Sequence, residues 1–487
     1  MKVKSLHKLI VSVLFISIVV TPLACGSGQN NEPSVDPPST QIETAANQQE
    51  VLPGANGDDS PEVSDRPPLS GTLTISQLST QQHLNVAISR FTALHPDVEI
   101  VLNTFENDFQ RFNMQVPTQL MAGAADDIIE VGALPLFDLA DRGKAVDLLP
   151  LMQNDPDFNE DDFFMNVLNA FKYRGGLYAF PMTFSYEVTG INTFSLYGVN
   201  SGNSEEIIER FSRMGTISFR QMLDLYLGIE DRAGLFLKPK VNALSYIRRN
   251  LNDFIDFENN TANFLNDEFI RTLNDWKEVT DPQLIAGGRL PVMSGFTGVC
   301  RCHETEFASR YLFADYGMAL SYDVFFPHAE QELFTHFIPV ATDDGEILVG
   351  SGRIFFINSA SGNVELAWEF LKFLATDPDV YFGWPLGIPT NREVFRNTIA
   401  HPINNAVGVW AQQGRYVDGE IEEITKSIFE RVSAFNEMPM RHSTDFWGDH
   451  SVMLEEIITS FYRGVLTAEQ AAEQLQNRIS LFLMERG

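Results

Sequence analysis

The sequence predicts an α/β fold with a mostly parallel sheet, and the start of its folded region shows why. Predicted strands over 71–76, 98–102 and 127–131 alternate with predicted helices over 81–94 and 108–121. Strands and helices in regular succession are typical of parallel strands joined by helical crossovers. A chain of 487 residues also has room for roughly two to four domains of ordinary size.

The first two helices are predicted from apolar periodicity and from their breakers. Leu84, Ala87 and Phe91 recur at spacings of three and four residues, which places them on one helix face. Pro96 follows this helix closely and is expected to end it. Pro117 lies inside the second helix and is expected to kink or shorten it.

The later part of the chain is first mainly helical and then returns to strands. A final helix is predicted from Thr467, because Thr467-Ala-Glu-Gln470 matches a capping box. Trp368 falls on the apolar face of its helix and is expected in the core. The other predicted elements are helices over 135–142, 219–227, 243–254, 266–279 and 364–374, and strands over 315–323, 336–340 and 347–357.

Charge and cysteine content exclude several classes of protein. There are 65 acidic and 34 basic residues, so the formal net charge is −31. Nucleic acids and anionic lipids bind basic surfaces, and neither is expected as the main partner. Three cysteines are too few for a scaffold built on disulfides.

The N-terminus has the pattern of an export signal. Lys2, Lys4 and Lys8 precede an apolar run over 9–20. Twelve residues in a helix span about 18 Å, which is too short for a bilayer core of about 30 Å. A basic start followed by a short apolar segment is typical of a secretory signal.

The residues after this run, Thr21 to Gly26, resemble a bacterial lipoprotein cleavage box. The resemblance implies a signal peptide over 1–24 and a lipid on the thiol of Cys25, although Pro22 stands where a branched apolar residue is usual. The alternative is an ordinary secretory signal with an incidental cysteine. Residues 26–70 hold seven prolines, eight acids and no aromatic residue, so 25–70 is predicted to be a disordered tether.

An ordered set of motifs between about residues 71 and 480 resembles a known family. The motifs are Leu73-Thr-Ile with Phe91 to Glu99, Asp127-Ile-Ile, Leu139 to Gly143, Gly176 to Pro181, Gly350 to Ile357, Ser361-Gly-Asn363, Ala367 to Leu374, and Gly464 with the Thr467 helix. Together they resemble the extracellular solute-binding proteins of ABC importers, in the carbohydrate-binding family 1 that includes maltose-binding protein.

The resemblance implies a two-lobed periplasmic-binding-protein-like fold of type II, with discontinuous lobes joined by a hinge. Lobe 1 would comprise 71–184 plus 349–437, and lobe 2 would comprise 185–348 plus 438–487. The chain would cross between lobes near 184–186, 348–350 and 438–441. The family also implies a monomer without a cofactor.

The resemblance places candidate ligand contacts on lobe 2. A sugar pocket needs aromatic faces for pyranose rings and polar groups for hydroxyls. Trp447 matches an aromatic stacking position of the family, although a packed core Trp is the alternative. The candidates here are Tyr322, Asp323, Phe325, Arg441, Asp445 and Trp447.

Other candidates follow from the position of strands. Ligands of open α/β sheets bind beyond the carboxyl ends of strands, where Gln77, Ser79 and Glu130 fall. Ser185 and Glu187 share one face of the predicted crossing strand. Ser351 lies between Gly350 and Gly352, where backbone bending is an alternative role.

Two polar clusters and the usual catalytic motifs carry less weight. Cys300 and Cys302 are compatible with a strained local disulfide, free thiols or a metal, but no second ligand pair for zinc follows at suitable spacing. Asp155 to Asn159 is expected to be a solvated acidic turn, since Glu160 replaces the glycine of a calcium loop. No nucleophile elbow, HExxH or P-loop occurs, so no catalytic residue is predicted.

The resulting hypothesis is a lipid-anchored receptor on the extracellular face of the cell membrane. It would capture a carbohydrate, expected to be an oligosaccharide, and deliver it to the permease subunits of an ABC transporter. A receptor for a peptide or a polyamine is the main alternative, because an acidic surface also suits cationic solutes. A surface enzyme that degrades polysaccharides is a further alternative, since 65 acidic residues always include some carboxylate pair.

Overall fold

The structure is a computed structural model that describes residues 68–132, 134–199, 201–237, 242–256, 259–280, 312–318, 334–380, 387–400, 418–442 and 449–486. Its strands are β1 Gly71–Gln77, β2 Val98–Thr104, β3 Ile128–Glu130, β4 Phe180–Asn192, β5 Ile217–Ser218, β6 Ile255–Asp256, β7 Thr261–Ala262, β8 Phe313–Met318, β9 Phe334–Ala341, β10 Ile347–Ile357, β11 Ile388–Pro389 and β12 Met440–His442.

Helices surround these strands, and none within the described ranges is both long and apolar enough to cross a membrane. They are α1 Gln82–Leu94, α2 Phe109–Ala122, α3 Leu136–Asp141, α4 Leu149–Asn154, α5 Met165–Ala170, α6 Thr193–Gly198, α7 Ser204–Ser212, α8 Phe219–Leu227, α9 Ala243–Arg249, α10 Leu251–Phe254, α11 Asp267–Val279, α12 Val364–Thr376, α13 Arg392–Ala400, α14 Asp418–Asn436, α15 Asp449–Tyr462 and α16 Ala468–Arg486.

The main sheet is mixed, so the prediction of a mostly parallel sheet is wrong beyond its first strands. β1 pairs in parallel with β2 and β3, as the alternation of strands and helices predicts. β10 instead runs antiparallel to β3 and β4, and β4 runs antiparallel to β8, β9 and β11. Local sequence patterns do not encode this direction, because it depends on where the chain re-enters the sheet.

Two large groups of buried apolar side chains lie on either side of a stretch of β4. Tyr186 and Val188 belong to a cluster that also contains Leu73, Phe91 and Trp368. Ile191, only three residues after Val188, belongs to a second cluster built mainly from α8, α9, α11, α15 and α16. The strand therefore leaves one apolar core and enters the other between Val188 and Ile191.

The helix α12 contributes Trp368 to the first cluster, as predicted. Trp368 is buried, and its indole Nε1 donates a hydrogen bond of 2.9 Å to Asp155 Oδ2. Lys372 Nζ lies 2.6 Å from the same oxygen. Asp157 is exposed as expected for a solvated turn, but that expectation is wrong for Asp155, which is buried as the partner of Trp368 and Lys372.

Helix boundaries differ from the prediction where the backbone departs from helical geometry. Pro117 lies inside α2 without ending it, and Gly123 ends the helix with a φ of 66°. The predicted helix over 243–254 is divided at Asn250, which has φ −111° and ψ 36°. The capping box of α16 is confirmed, since Gln470 N donates to Thr467 Oγ1 at 3.2 Å and Thr467 N donates to Gln470 Oε1 at 3.0 Å.

Candidate functional site

The carboxyl ends of β1 and β3 lie at one edge of the sheet and bring together the predicted residues Gln77, Ser79 and Glu130. Gln77 ends β1 and is buried, and its Nε2 donates to Thr104 Oγ1 at 2.8 Å. Its Oε1 is also buried and has no hydrogen-bond partner in the described part of the chain. Ser79 follows in the half-buried loop. We call this region, from Gln77 to His83 together with Glu130 and Arg353, the strand-end site.

Glu130 holds the strand-end site together. It is buried, and its Oε2 accepts a hydrogen bond of 2.7 Å from the backbone N–H of Leu78. Its Oε1 accepts one of 3.1 Å from Arg353 Nη1. Sequence reasoning missed Arg353, although it is the only charged residue in the run 347–357. Glu130 therefore fixes the loop after β1, and Arg353 balances its negative charge.

Gln81 and His83 are further members that sequence reasoning missed. Gln81 precedes the first turn of α1 and is 2% exposed, and within the described ranges neither of its amide atoms has a hydrogen-bond partner. Burial lowers the pKa of His83 to about 4, and the charge of Arg353 contributes to this. His83 is therefore uncharged at neutral pH. In the sequence, the available signal for both residues was their position shortly after the end of β1.

On β4, Ser185 and Glu187 are both buried and have protein partners. Ser185 lies opposite Gly350, next to Ser351 in the chain, and its Oγ donates to Gly350 O at 3.4 Å. Glu187 Oε2 lies 2.5 Å from Arg249 Nη2 at the end of α9. A ligand at Glu187 would have to compete with this ion pair.

Arg249 is enclosed on several sides. Its Nη1 donates to Val340 O at 3.2 Å, and its guanidinium lies 4.9 Å from the centre of the Phe219 ring. Burial lowers the pKa of Arg249, while the charge of Glu187 opposes this shift. Arg441 on β12 donates from Nη2 to the carbonyl of Arg249 at 3.4 Å. We call Glu187, Arg249 and Arg441 the crossing network.

The crossing network also reaches the turn before β10. Arg441 Nε lies 3.0 Å from Glu346 Oε2, and both side chains are partly exposed. Leu348 on β10 is the register partner of Arg441. The structure thus brings Glu187 and Arg441 together through Arg249, which sequence reasoning did not single out.

An aromatic cluster lies beside β12. The rings of Phe137 and Tyr173 are stacked, with centroids 4.4 Å apart and an interplanar angle of 16°. His442 contacts Phe171 at 4.3 Å and Phe137 at 6.4 Å between centroids. Burial lowers the pKa of His442 to about 4. In the sequence, His442 lies five residues before Trp447.

Several predicted residues cannot be placed on this framework. The side chain of Ser351 lies outside the described part of the chain, as do Tyr322, Asp323, Phe325, Asp445, Trp447, Cys25, Cys300 and Cys302. Their assignments stay predictions. Within the described ranges, no group of three or more His, Cys, Asp or Glu residues is placed to hold a metal ion.

Comparison of the whole chain with known proteins gives matches among solved structures only, since no family model and no curated protein matches it. A family 1 extracellular solute-binding protein from Alicyclobacillus acidocaldarius has 15% identity and a TM-score of 0.58, covering 86% of this chain and 100% of that chain. The sugar-binding protein MalE from Xanthomonas citri has 14% identity and a TM-score of 0.58, covering 85% and 98%.

A periplasmic oligogalacturonide-binding protein from Yersinia enterocolitica is similar at 12% identity and a TM-score of 0.58, covering 85% of this chain and 99% of that chain. At such identities the likeness concerns the fold, and it extends over nearly the full length of each neighbour. The predicted fold class is confirmed: this chain has the two-lobed α/β fold of the extracellular solute-binding proteins.

Proposed function

We propose that this protein is the solute-binding component of an ABC importer. It captures a carbohydrate, an oligosaccharide, between its two lobes and delivers it to the permease subunits in the membrane. The fold supports this role, and the named binding functions of the neighbours in Xanthomonas citri and Yersinia enterocolitica support a saccharide as the solute.

The observation that carries the proposal is the unpartnered amide chemistry of the strand-end site. Gln77 Oε1 and both amide atoms of Gln81 are buried without hydrogen-bond partners among the residues that the structure describes. Burial of an unpaired polar group costs free energy, so such groups are expected where a ligand completes their hydrogen bonds. They also follow the carboxyl end of β1, where ligands of open α/β sheets bind.

Hinge bending would couple capture to delivery. We propose lobe 1 as 71–184 plus 349–437 and lobe 2 as 185–348 plus 438–487, with β4, β10 and β12 as the crossing strands. The change of core along β4 between Val188 and Ile191 supports a crossing on this strand, although it lies after the boundary at 184–185. Closure around a solute is the common response of two-lobed receptors, and the closed form would dock on the permease.

The anchor is proposed on sequence grounds. A lipid on Cys25 would hold the protein at the extracellular face of the membrane, with 25–70 as a tether. Labelling with a radioactive or clickable palmitate tests this directly. Label should enter the wild type and be absent from Cys25→Ser, whereas equal labelling of both would contradict the anchor.

A thermal-shift screen of the protein with neutral and acidic oligosaccharides tests the solute class. A bound saccharide should raise the melting temperature by several degrees at saturation, because it binds only the folded state. Chromatography of the same samples should recover the sugar intact, since a receptor does not cleave it. Shortened sugars would indicate the enzyme alternative instead.

A cationic solute is the second candidate, because the net charge of −31 favours it. Spermidine and a basic tripeptide therefore belong in the same screen. If either raises the melting temperature while no saccharide does, the carbohydrate proposal is wrong and the receptor proposal survives. If nothing in the screen binds, the proposal of an oligosaccharide receptor fails as well.

A further inference from the structure

Gln81 differs from the other polar residues that directly precede helices in the described ranges, because their side chains all form hydrogen bonds. Asn203, Asn250 and Asn363 lack a cap bond, but each bonds a backbone carbonyl instead. Asn192, Ser218, Asn242 and Asn266 each accept a hydrogen bond from a backbone N–H in the first turn of the following helix. Gln81 makes no such bond, yet it is 2% exposed and both polar atoms of its amide lack a partner among the described residues. Its amide therefore has unused capacity both to donate and to accept.

The charged side chains of the strand-end site are already paired. Arg353 Nη1 is 3.1 Å from Glu130 Oε1, and the second oxygen of Glu130 accepts from the backbone of Leu78. His83 is uncharged at neutral pH, because burial and Arg353 lower its pKa to about 4. Within the described part of the strand-end site, the positive charge of Arg353 is thus matched by Glu130.

We infer that Gln81 is a specificity-determining residue and that it selects an uncharged saccharide over a uronate or a cationic solute. The inference rests on the proposed function and narrows the class of its solute. An amide presents donors and an acceptor side by side, which matches two neighbouring sugar hydroxyls. Access to this amide requires the opening of the lobes that the proposed function already includes.

A carboxylate or an ammonium group placed against this amide would bond either its N–H groups or its oxygen, but not both. A carboxylate only accepts hydrogen bonds, so it would leave Gln81 Oε1 unpaired, and it would also meet the negative field of a chain with net charge −31. An ammonium group only donates, so it would leave Nε2 unpaired. A buried polar group without a partner penalises binding of the wrong solute strongly.

The test compares Gln81→Met with the wild type, since Met has a similar length and shape without polar atoms. Removal of the unpartnered amide should raise the melting temperature of the free protein, and it should weaken saccharide binding about ten-fold. A merely structural glutamine would not produce these opposite effects. Gln81→Glu is a second variant of nearly unchanged shape and should also weaken neutral saccharide binding. The matched control is Gln119→Met on the exposed face of α2, which should change neither quantity.

Binding is measured by calorimetry at pH 7.5 with maltotriose, cellotriose and xylotriose as neutral probes and trigalacturonate as the acidic probe. The inference predicts binding of at least one neutral trisaccharide, no comparable binding of trigalacturonate, and a loss with Gln81→Met. Tighter binding of trigalacturonate, or unchanged neutral affinity in both Gln81 variants, would overturn the inference while the carbohydrate receptor stands. Absence of binding by every saccharide would instead remove the proposed function and the inference with it.

Discussion

Two carboxylates that sequence reasoning treated alike occupy different environments. Glu130 and Glu187 are both buried, and each is paired with an arginine, Arg353 and Arg249 respectively. The side chain of Arg353 remains 14% exposed, and its partner Glu130 holds the backbone of Leu78, three residues before Gln81. The side chain of Arg249 is 3% exposed, and a backbone carbonyl and an aromatic ring enclose it.

The two environments indicate that buried ion pairs in this protein have different roles. The pair of Glu130 and Arg353 orders a loop at the edge of the sheet, where a solute can add hydrogen bonds. The pair of Glu187 and Arg249 joins β4 to α9, and the described contacts around it include no unpartnered amide. We therefore expect the first pair to affect binding and the second to affect stability.

The largest effect is expected from Arg249→Met. It leaves the carboxylate of Glu187 buried without its cation, which should lower the free energy of unfolding by about 3–5 kcal/mol. Urea unfolding followed by Trp fluorescence measures the change. Arg213→Met is a control, because the Arg213 and Glu209 side chains form an exposed pair, for which a loss below about 1 kcal/mol is expected. Equal losses of unfolding free energy in the two variants would contradict the expected difference between a buried and an exposed ion pair.

An intermediate effect is expected from acid at His442, which lies next to the crossing network on β12. Burial lowers its pKa from the usual 6.5 to about 4, so the folded protein holds the neutral form. This contribution to stability is complete above about pH 6.5 and is lost as the pH falls towards 4, because the unfolded chain binds the proton first. The free energy of unfolding lost in this way is at most about 3 kcal/mol.

His442→Phe should remove this part of the acid sensitivity. The phenyl ring can keep the contacts with Phe171 and Phe137, and Nδ1 of His442 has no hydrogen-bond partner to lose among the described residues. Unfolding curves at pH 7, 5.5 and 4.5 should show a smaller decline for the variant than for the wild type. Parallel declines would mean that His442 is not buried in the neutral form.

The smallest loss of stability is expected from Arg353→Met, about 1–2 kcal/mol, because Glu130 keeps its bond from Leu78 N and solvent is close. Saccharide affinity should fall with it, since the loop that carries Gln81 loses one support. The pKa of His83 should rise, because the charge of Arg353 helps to lower it. NMR titration measures the pKa of His83, and calorimetry measures the saccharide affinity. If neither quantity changes, Arg353 lies outside the binding site.

Sequence reasoning reached the local features of the fold closely. The bounds of β10 and α8 agree with the predicted 347–357 and 219–227, and the capping box at Thr467 is present. These features depend on periodicity and on residues within one turn of each other. The break at Asn250 was missed, because its non-helical backbone conformation leaves no mark in the apolar pattern.

The candidate site was accessible to sequence reasoning only in part. Strand ends indicated Gln77, Ser79 and Glu130, and strand parity indicated Ser185 and Glu187. Arg353 and Arg249 were missed because they lie 223 and 62 residues from the carboxylates they meet. No local pattern connects such positions.

Local sequence chemistry was sufficient to predict the α/β alternation at the start of the folded region, the buried faces of α1 and α12, and the resemblance to a family. Only the tertiary structure decided that β10 runs antiparallel beside β3, that Glu130 meets Arg353, and that Glu187 meets Arg249. The reason is physical. Periodicity specifies which side of an element is buried, whereas the partner of a buried charge is chosen by how distant segments pack.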